Sequence, residues 1–143
     1  MRIYRNLPFA VPTRLYLYHF KWCPKYRYNM LRKEENLCEG ILRETAKERG
    51  IEIVEISVMS DHIHLIAGIP PTMSVSEAFR LLKGTSSYKM FRAKPNFRKR
   101  YPKGHFWSPG KFYRSVGDAD LETTRNYVRN QRAVHQTILS PFF

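Results

Sequence analysis

Cysteine is scarce in this chain: two among 143 residues, Cys23 and Cys38, in no CxxC spacing. That argues against a disulfide scaffold or a zinc ribbon, and makes a reducing cytoplasm the expected setting. Long apolar runs are missing as well. Met1 to Phe20 is interrupted by Arg2, Arg5, Pro8, Pro12 and Arg14, so neither a signal peptide nor a membrane span is expected there. Internal repeats and low-complexity tracts are absent. The most telling scarcity is of acidic side chains: 12 Asp and Glu stand against 25 Lys and Arg, a formal net charge of +13. None occurs from Met1 through Lys33, and none from Ala78 through Gly117. A merely well-solvated surface intersperses the two signs. A segregated basic one attracts polyanions, nucleic acid first and acidic membrane surfaces second.

Hydrophobic residues make up 43% and aromatics 14%, enough for one folded domain spanning residues 1–143. Thr13 to Trp22 reads as a buried strand, closed by a basic, aromatic loop at Cys23 to Arg27. Leu31 to Arg49 reads as a helix with a Leu37, Cys38, Ile41, Leu42 and Thr45 stripe, stopped by Gly50. Ile51 to Val58 and His62 to Ile69 read as a hairpin turning at Met59-Ser60-Asp61. Ser74-Val75-Ser76-Glu77 matches a capping box and starts a second helix. Its small, polar Gly84-Thr85-Ser86-Ser87 stretch allows a backbone or a phosphate to approach closely. Lys94 to Lys103 reads as an irregular basic connection. Phe106 to Val116 has strand composition interrupted at Ser108-Pro109-Gly110, and Asp118 can cap a last helix at about 118–134. The order β-α-β-β-α-β-α predicts an α/β (α+β) fold: a ferredoxin-like sandwich with one antiparallel sheet flanked by helices.

In a strand, residues of one parity share a face. His62 and His64 therefore stand side by side, with Ile63, Leu65, Ala67 and Ile69 toward the core. Locally this pattern fits two polar side chains on a solvated face as well as it fits a metal-ligand pair. Asp61 could orient one imidazole, or simply serve the turn. The last helix adds to the picture: Tyr127 and Gln131 lie roughly 40° apart around its axis, off the Leu121/Val128 stripe. A Gln carbonyl can complete a metal site with two neutral imidazoles, leaving the ion its full charge for a bound phosphate. A tyrosine hydroxyl, with an ordinary pKa of about 10, can serve as nucleophile if positive charge stabilises its phenolate.

These pieces, in this order, make the chain similar to the single-tyrosine HUH transposases of the insertion-sequence 200/605 type. Tyr18-His19 with Trp22-Cys23-Pro24-Lys25-Tyr26-Arg27 resembles the family's opening strand and loop. Met59 through Leu65 resembles its HUH segment, and Leu82-Lys83-Gly84 with Ser86-Ser87 its second-helix segment. Phe106 through Gly110 with Ser115-Val116-Gly117 resembles its late strand, and Tyr127 through Gln131 its catalytic helix. Lys21, where the family more often has an apolar residue, and Ser60, where it often has Pro, depart from the pattern. The resemblance implies a transposase that cleaves and rejoins single-stranded DNA at insertion-element ends through a 5′-phosphotyrosine intermediate. It implies Mg2+ or Mn2+ held by His62, His64 and Gln131, with Tyr127 as nucleophile. It further implies hairpin-bearing ends as ligand, and a homodimer whose sheets join and whose sites combine the histidines of one subunit with the tyrosine helix of the other. The expected setting is the cytoplasm, at the nucleoid when DNA is bound.

Lys25, Arg27, Arg80, Lys83, Lys89, Arg92, Arg98, Lys99 and Arg100 are the candidate phosphate contacts. Interleaved aromatics such as Tyr88, Phe97 and Trp107 can stack on unpaired bases or pack in the core. Two other functions accommodate the charge. One is a non-catalytic nucleic-acid-binding module on a similar sheet. The other is a domesticated relative acting on chromosomal palindromic repeats.

Overall fold

A computed structural model describes residues 16–110, 112–117 and 120–131. Its elements follow the expected order: β1 (Tyr16–Trp22), α1 (Glu35–Glu48), β2 (Glu52–Val58), β3 (Ile63–Ile69), α2 (Val75–Ala93), β4 (Phe112–Ser115) and α3 (Leu121–Arg129). The strands form one antiparallel sheet in the order β2-β3-β1-β4. Helices α1 and α2 cover one face, and α3 packs on the other.

Period-two alternation sorts the two faces. Phe20, Trp22, Ile63, Leu65, Ala67 and Ile69 join residues of α1 and α2 in the main core. Ile66 points the other way, into a smaller cluster with Leu17, Val54, Val116, Leu121 and Val128. β3 is therefore buried along its whole length. A bulge in β2 breaks the register between Ile53 and Glu55. Beyond it Glu55 pairs with Ile66 and Ser57 with His64, so both lie on the α3 face. Lys21 fits within β1 because its ammonium reaches 5.9 Å over the Phe112 ring.

Several boundaries differ from the sequence reading. α1 starts at Glu35 rather than Leu31, because Leu31 to Glu34 makes a turn with Lys33 at φ 68°. Leu31 is still fully buried, its N–H donating to the Ser60 carbonyl at 3.0 Å. The Ser74 cap forms as expected, accepting the Glu77 N–H at 3.1 Å. The small stretch of α2 receives the chain's own backbone: the Trp107 indole N–H donates to Ser86 Oγ at 2.8 Å, and the Phe106 N–H to Ser87 Oγ at 3.3 Å. Of the expected Phe106 to Val116 strand, the described residues form Phe112–Ser115 and an isolated bridge between Trp107 and Pro24. Phe106 and Trp107 are core residues, and Pro109 lacks the donor a ladder needs. Asp118 and Ala119, and everything beyond Gln131, lie outside the described residues, as do Thr13 to Arg14 and Leu15 of the first strand. Asp120 occupies the N-cap of α3.

Ser86→Ala strands a buried indole N–H and should cost roughly 1–3 kcal/mol in a urea unfolding experiment. A loss within error would mean that Trp107 finds another acceptor.

Candidate active site

β3 and the turn before it deliver the two histidines. His62 closes the Met59–Asp61 turn, its carbonyl accepting the Met59 N–H at 2.9 Å, and β3 begins one residue later. The His62 Nδ1 proton goes to Asp61 Oδ1 at 2.8 Å, and Arg27 Nε donates to Asp61 Oδ2 at 3.2 Å. Asp61 therefore orients an imidazole as well as serving the turn. Arg27 comes from a short turn in which Tyr26 (φ 63°) and Arg27 (φ 53°) both hold left-handed backbone. That conformation costs non-glycine residues about 1–2 kcal/mol each. Three bonds hold the turn: Lys25 N–H to the Phe106 carbonyl (2.8 Å), Tyr101 Oη to the Lys25 carbonyl (2.7 Å), and Arg27 N–H to the Pro24 carbonyl (2.8 Å).

His64 lies on the α3 face of β3, with its ring centroid 5.2 Å from that of His62 and the planes at 81°. A third imidazole, which the sequence reading did not single out, completes the cluster. His19 of β1 is buried, with Nε2 3.0 Å from His64 Nδ1 and the two ring centroids 5.2 Å apart. Its signal was parity: His19 shares the face of Leu17 and Lys21, and Lys21 pairs with His64 across the sheet. Tyr127 of the same chain closes the group. Its ring stands perpendicular to His64 at 5.5 Å and 6.1 Å from His19, and half of its surface is exposed.

Helix α3 reaches this seat through three anchors. Leu121, Thr124 and Val128 are buried against the sheet. Glu55 Oε1 accepts from Arg125 Nε at 3.0 Å and Arg129 Nη2 at 3.1 Å. Ser57 Oγ donates to the Val128 carbonyl. Gln131, half-buried, follows the Asn130 C-cap and so lies just past the helix. One chain thus brings Tyr127 and the histidine pair together without a partner's helix.

Burial comes first in lowering the His64 pKa to about 3, helped by His19, His62 and Lys21. His19 is lowered to about 4 by burial, then by Arg114 and Lys21. Both rings are neutral near pH 7. Burial pushes Asp61 upward, but the bond to His62, the charge of that ring and Arg27 outweigh it, and the net shift is down. With His62 Nδ1 bonded to Asp61 and His64 Nδ1 in contact with His19, the Nε2 atoms are the nitrogens left for an ion, the usual arrangement around histidine-bound metals. These residues fit a divalent cation. Among the described residues no three His, Cys, Asp or Glu side chains could hold an ion by themselves, so a neutral donor such as Gln131 would have to complete the set.

A family profile described as Transposase IS200 like matches residues 13–131. This chain belongs to the IS200-like transposases. It is 31% identical over 115 residues to the ISDra2 transposase TnpA of Deinococcus radiodurans, covering 80% of this chain and 82% of that one. It is 32% identical over 115 residues to the transposase for insertion sequence element IS200 of Salmonella typhimurium, covering 80% and 75%. Among solved structures, a candidate transposase from Deinococcus radiodurans superposes with a TM-score of 0.67 at 30% identity, covering 85% of this chain and 94% of that one. A REP-associated tyrosine transposase bound to a REP hairpin shares the fold, with a TM-score of 0.62 at 16% identity over 89% and 74%. The protein is a DNA transposase, hence a DNA-cleaving enzyme, and the binding-module alternative is not favoured. The ferredoxin-like expectation holds. No described helix is long and apolar enough to cross a membrane.

The candidate phosphate contacts divide. Lys89 is bound to Glu44 (2.6 Å) and Glu48 (2.8 Å), clamping α2 to α1 away from the histidines. Lys83 Nζ donates to the Ser108 and Gly110 carbonyls at 2.6 and 2.9 Å and so fixes that loop. Arg98 stacks on Phe91 and Arg100 on Tyr28. Arg92 reaches Tyr88 Oη at 3.3 Å, and Lys99 is exposed. Lys25, Arg80 and Lys83 line a cleft of about 580 Å³, and Ser108 is shared between it and a smaller cleft lined by Lys21, Arg27 and His62.

The histidines make a pH prediction. Above pH 7 folded and unfolded chains hold the same protons at His19 and His64. Between the ordinary 6.5 and about 4 to 3, the unfolded chain binds protons that the folded rings refuse, so stability falls as pH falls. Asp61 adds a further loss below its ordinary 3.8. Chemical denaturation between pH 8 and 4 should show this decline, with His64→Asn flattening it. A flat wild-type profile would mean that both rings are charged in the fold.

Proposed function

We propose that this IS200-like transposase cleaves and rejoins single-stranded DNA at insertion-element ends through a covalent link to Tyr127. The reaction depends on Mg2+ or Mn2+ held by His62, His64 and Gln131. One observation carries this reading: the half-exposed Tyr127 ring stands on buried His64, itself 5.2 Å from His62. When bound, the cation supplies Lewis-acid polarisation of a phosphodiester oxygen. The chain's own residues do the rest. Asp61 holds the His62 ring, and β3 fixes His64. Tyr127 Oη gives its proton to solvent and attacks phosphorus. The Oη–P bond forms, and the P–O3′ bond breaks with its electron pair on O3′, which takes a proton from solvent. The 5′ phosphate remains on Tyr127 until a 3′ hydroxyl attacks, restores a DNA phosphodiester and returns the phenol.

A buried His64 kept neutral and a half-exposed tyrosine suit this division: the imidazole is uncharged, and the nucleophile stays accessible to a strand. Arg27 shares the smaller cleft with His62, and Lys25 and Arg80 line the larger one, so a backbone entering the two clefts would pass all three. Their contribution would be affinity without sequence information. Hairpin-bearing ends are the proposed ligand, and the nucleoid the proposed place of action. A homodimer is proposed through β4, a short outer strand whose far edge carries no strand among the described residues. Sharing sites between subunits would require α3 to leave its seat on Glu55 and Ser57.

Tyr127→Phe should abolish the covalent adduct with a labelled single-stranded oligonucleotide carrying the element's ends, while leaving binding within about twofold, because only the hydroxyl is lost. An adduct that persists removes Tyr127 as nucleophile. His64→Ala should end metal-dependent cleavage. Mixing the two variants under conditions of subunit exchange tests the sharing of sites: recovered cleavage supports composite sites, and none assigns each site to one chain.

A further inference from the structure

His19 is a buried polar side chain that the proposed cleavage chemistry leaves unused. It is 4% exposed, its Nε2 lies 3.0 Å from His64 Nδ1, and its own Nδ1 is buried without a hydrogen-bond partner among the described residues. A 3.0 Å contact between two imidazole nitrogens needs one proton between them: two N–H groups would repel, and so would two lone pairs. With one N–H on each ring, only two arrangements exist. In the first, His64 carries its proton on Nδ1 and donates to His19 Nε2, so His64 Nε2 bears a lone pair and the His19 proton sits on Nδ1. In the second, His19 Nε2 donates, His64 Nε2 holds a proton, and His64 cannot be a ligand.

We propose that His19 is a positioning residue that sets the tautomer of His64: it accepts the His64 Nδ1 proton and so turns the His64 Nε2 lone pair toward the cation. The inference rests on the metal-dependent reading above. Between the two arrangements the proton in the contact passes from His19 Nε2 to His64 Nδ1, the His64 Nε2 proton leaves to solvent, and His19 Nδ1 gains one. The total is unchanged. His19 would not be a ligand in this arrangement, because its Nε2 lone pair is taken by the His64 Nδ1 proton. Asp61 performs the same office for His62 with a carboxylate. His19 replaces that carboxylate with a neutral acceptor, so the pair keeps the cation's charge uncompensated on this side. The ring planes lie 28° apart with centroids at 5.2 Å and nitrogens at 3.0 Å, so the rings meet edge to edge, as a bond along an in-plane N–H requires.

Long-range proton–nitrogen spectra of the full chain labelled at histidine nitrogens distinguish Nδ1–H from Nε2–H directly. With Mg2+ added to the wild type, His64 and His19 should both show Nδ1–H; His64 as Nε2–H in the Mg2+-loaded protein overturns the proposal. Mn2+ binding, followed by the free-ion resonance signal, gives a second measure. His19→Leu should weaken it roughly 10- to 100-fold, and His19→Gln, whose carbonyl can accept the same proton, should recover most of the loss. Equal affinity of wild type and His19→Leu, or no recovery in His19→Gln, sinks the role of His19 alone. Absence of Mn2+ binding by the wild type sinks the metal reading instead. Should His19→Leu not fold, the wild-type spectrum decides.

Discussion

The placement of β3 between β2 and β1, with helices on both faces of the sheet, is the constraint from which the rest follows. A strand paired on both edges cannot slip by one residue without exchanging its faces. Here that would move Ile63, Leu65, Ala67 and Ile69 out of the main core and push His64 into it. Each of those apolar side chains is worth about 1.5–3 kcal/mol when fully buried. The register that protects the core therefore also aims His64 at α3.

Burying imidazoles in so basic a chain has an electrostatic consequence. Lys21 and Arg114 sit close enough to oppose any charge on His19, and Lys21 opposes it on His64 as well. The neutral forms are the ones with lone pairs to give. Arg27 acts in the opposite sense on Asp61, keeping its carboxylate ionised beside His62. The basic residues thus divide into those that tune the site, those that fix loops, as Lys83 does, and those that face a cleft.

Much of the fold was legible from residue order alone. The capping box at Ser74, the Gly50 stop (φ 71°) and the alternation of β3 are local signals, and each appears where its residues require. The first part of Phe106 to Val116 departs from a regular strand because strand composition is also core composition. Trp107 makes an isolated antiparallel bridge with Pro24, and Trp107 and Phe106 also donate to Ser86 and Ser87 on α2, contacts made across about twenty positions. His19 escaped notice for a similar reason. A single histidine in a strand of aromatics carries no local mark, and its meaning comes from a partner 45 positions away.

By itself, the order of residues determined the α+β class, the basic character and the shared face of His62 and His64. These depend on periods of two and 3.6 residues, which neighbours in sequence set. Only the tertiary structure decided that α3 docks on its own chain through Glu55, that Tyr127 stands on His64, and that His19 holds the far nitrogen of that ring. Such contacts join elements 45 to about 110 positions apart, and their geometry is set by strand pairing and helix packing, which no local pattern encodes.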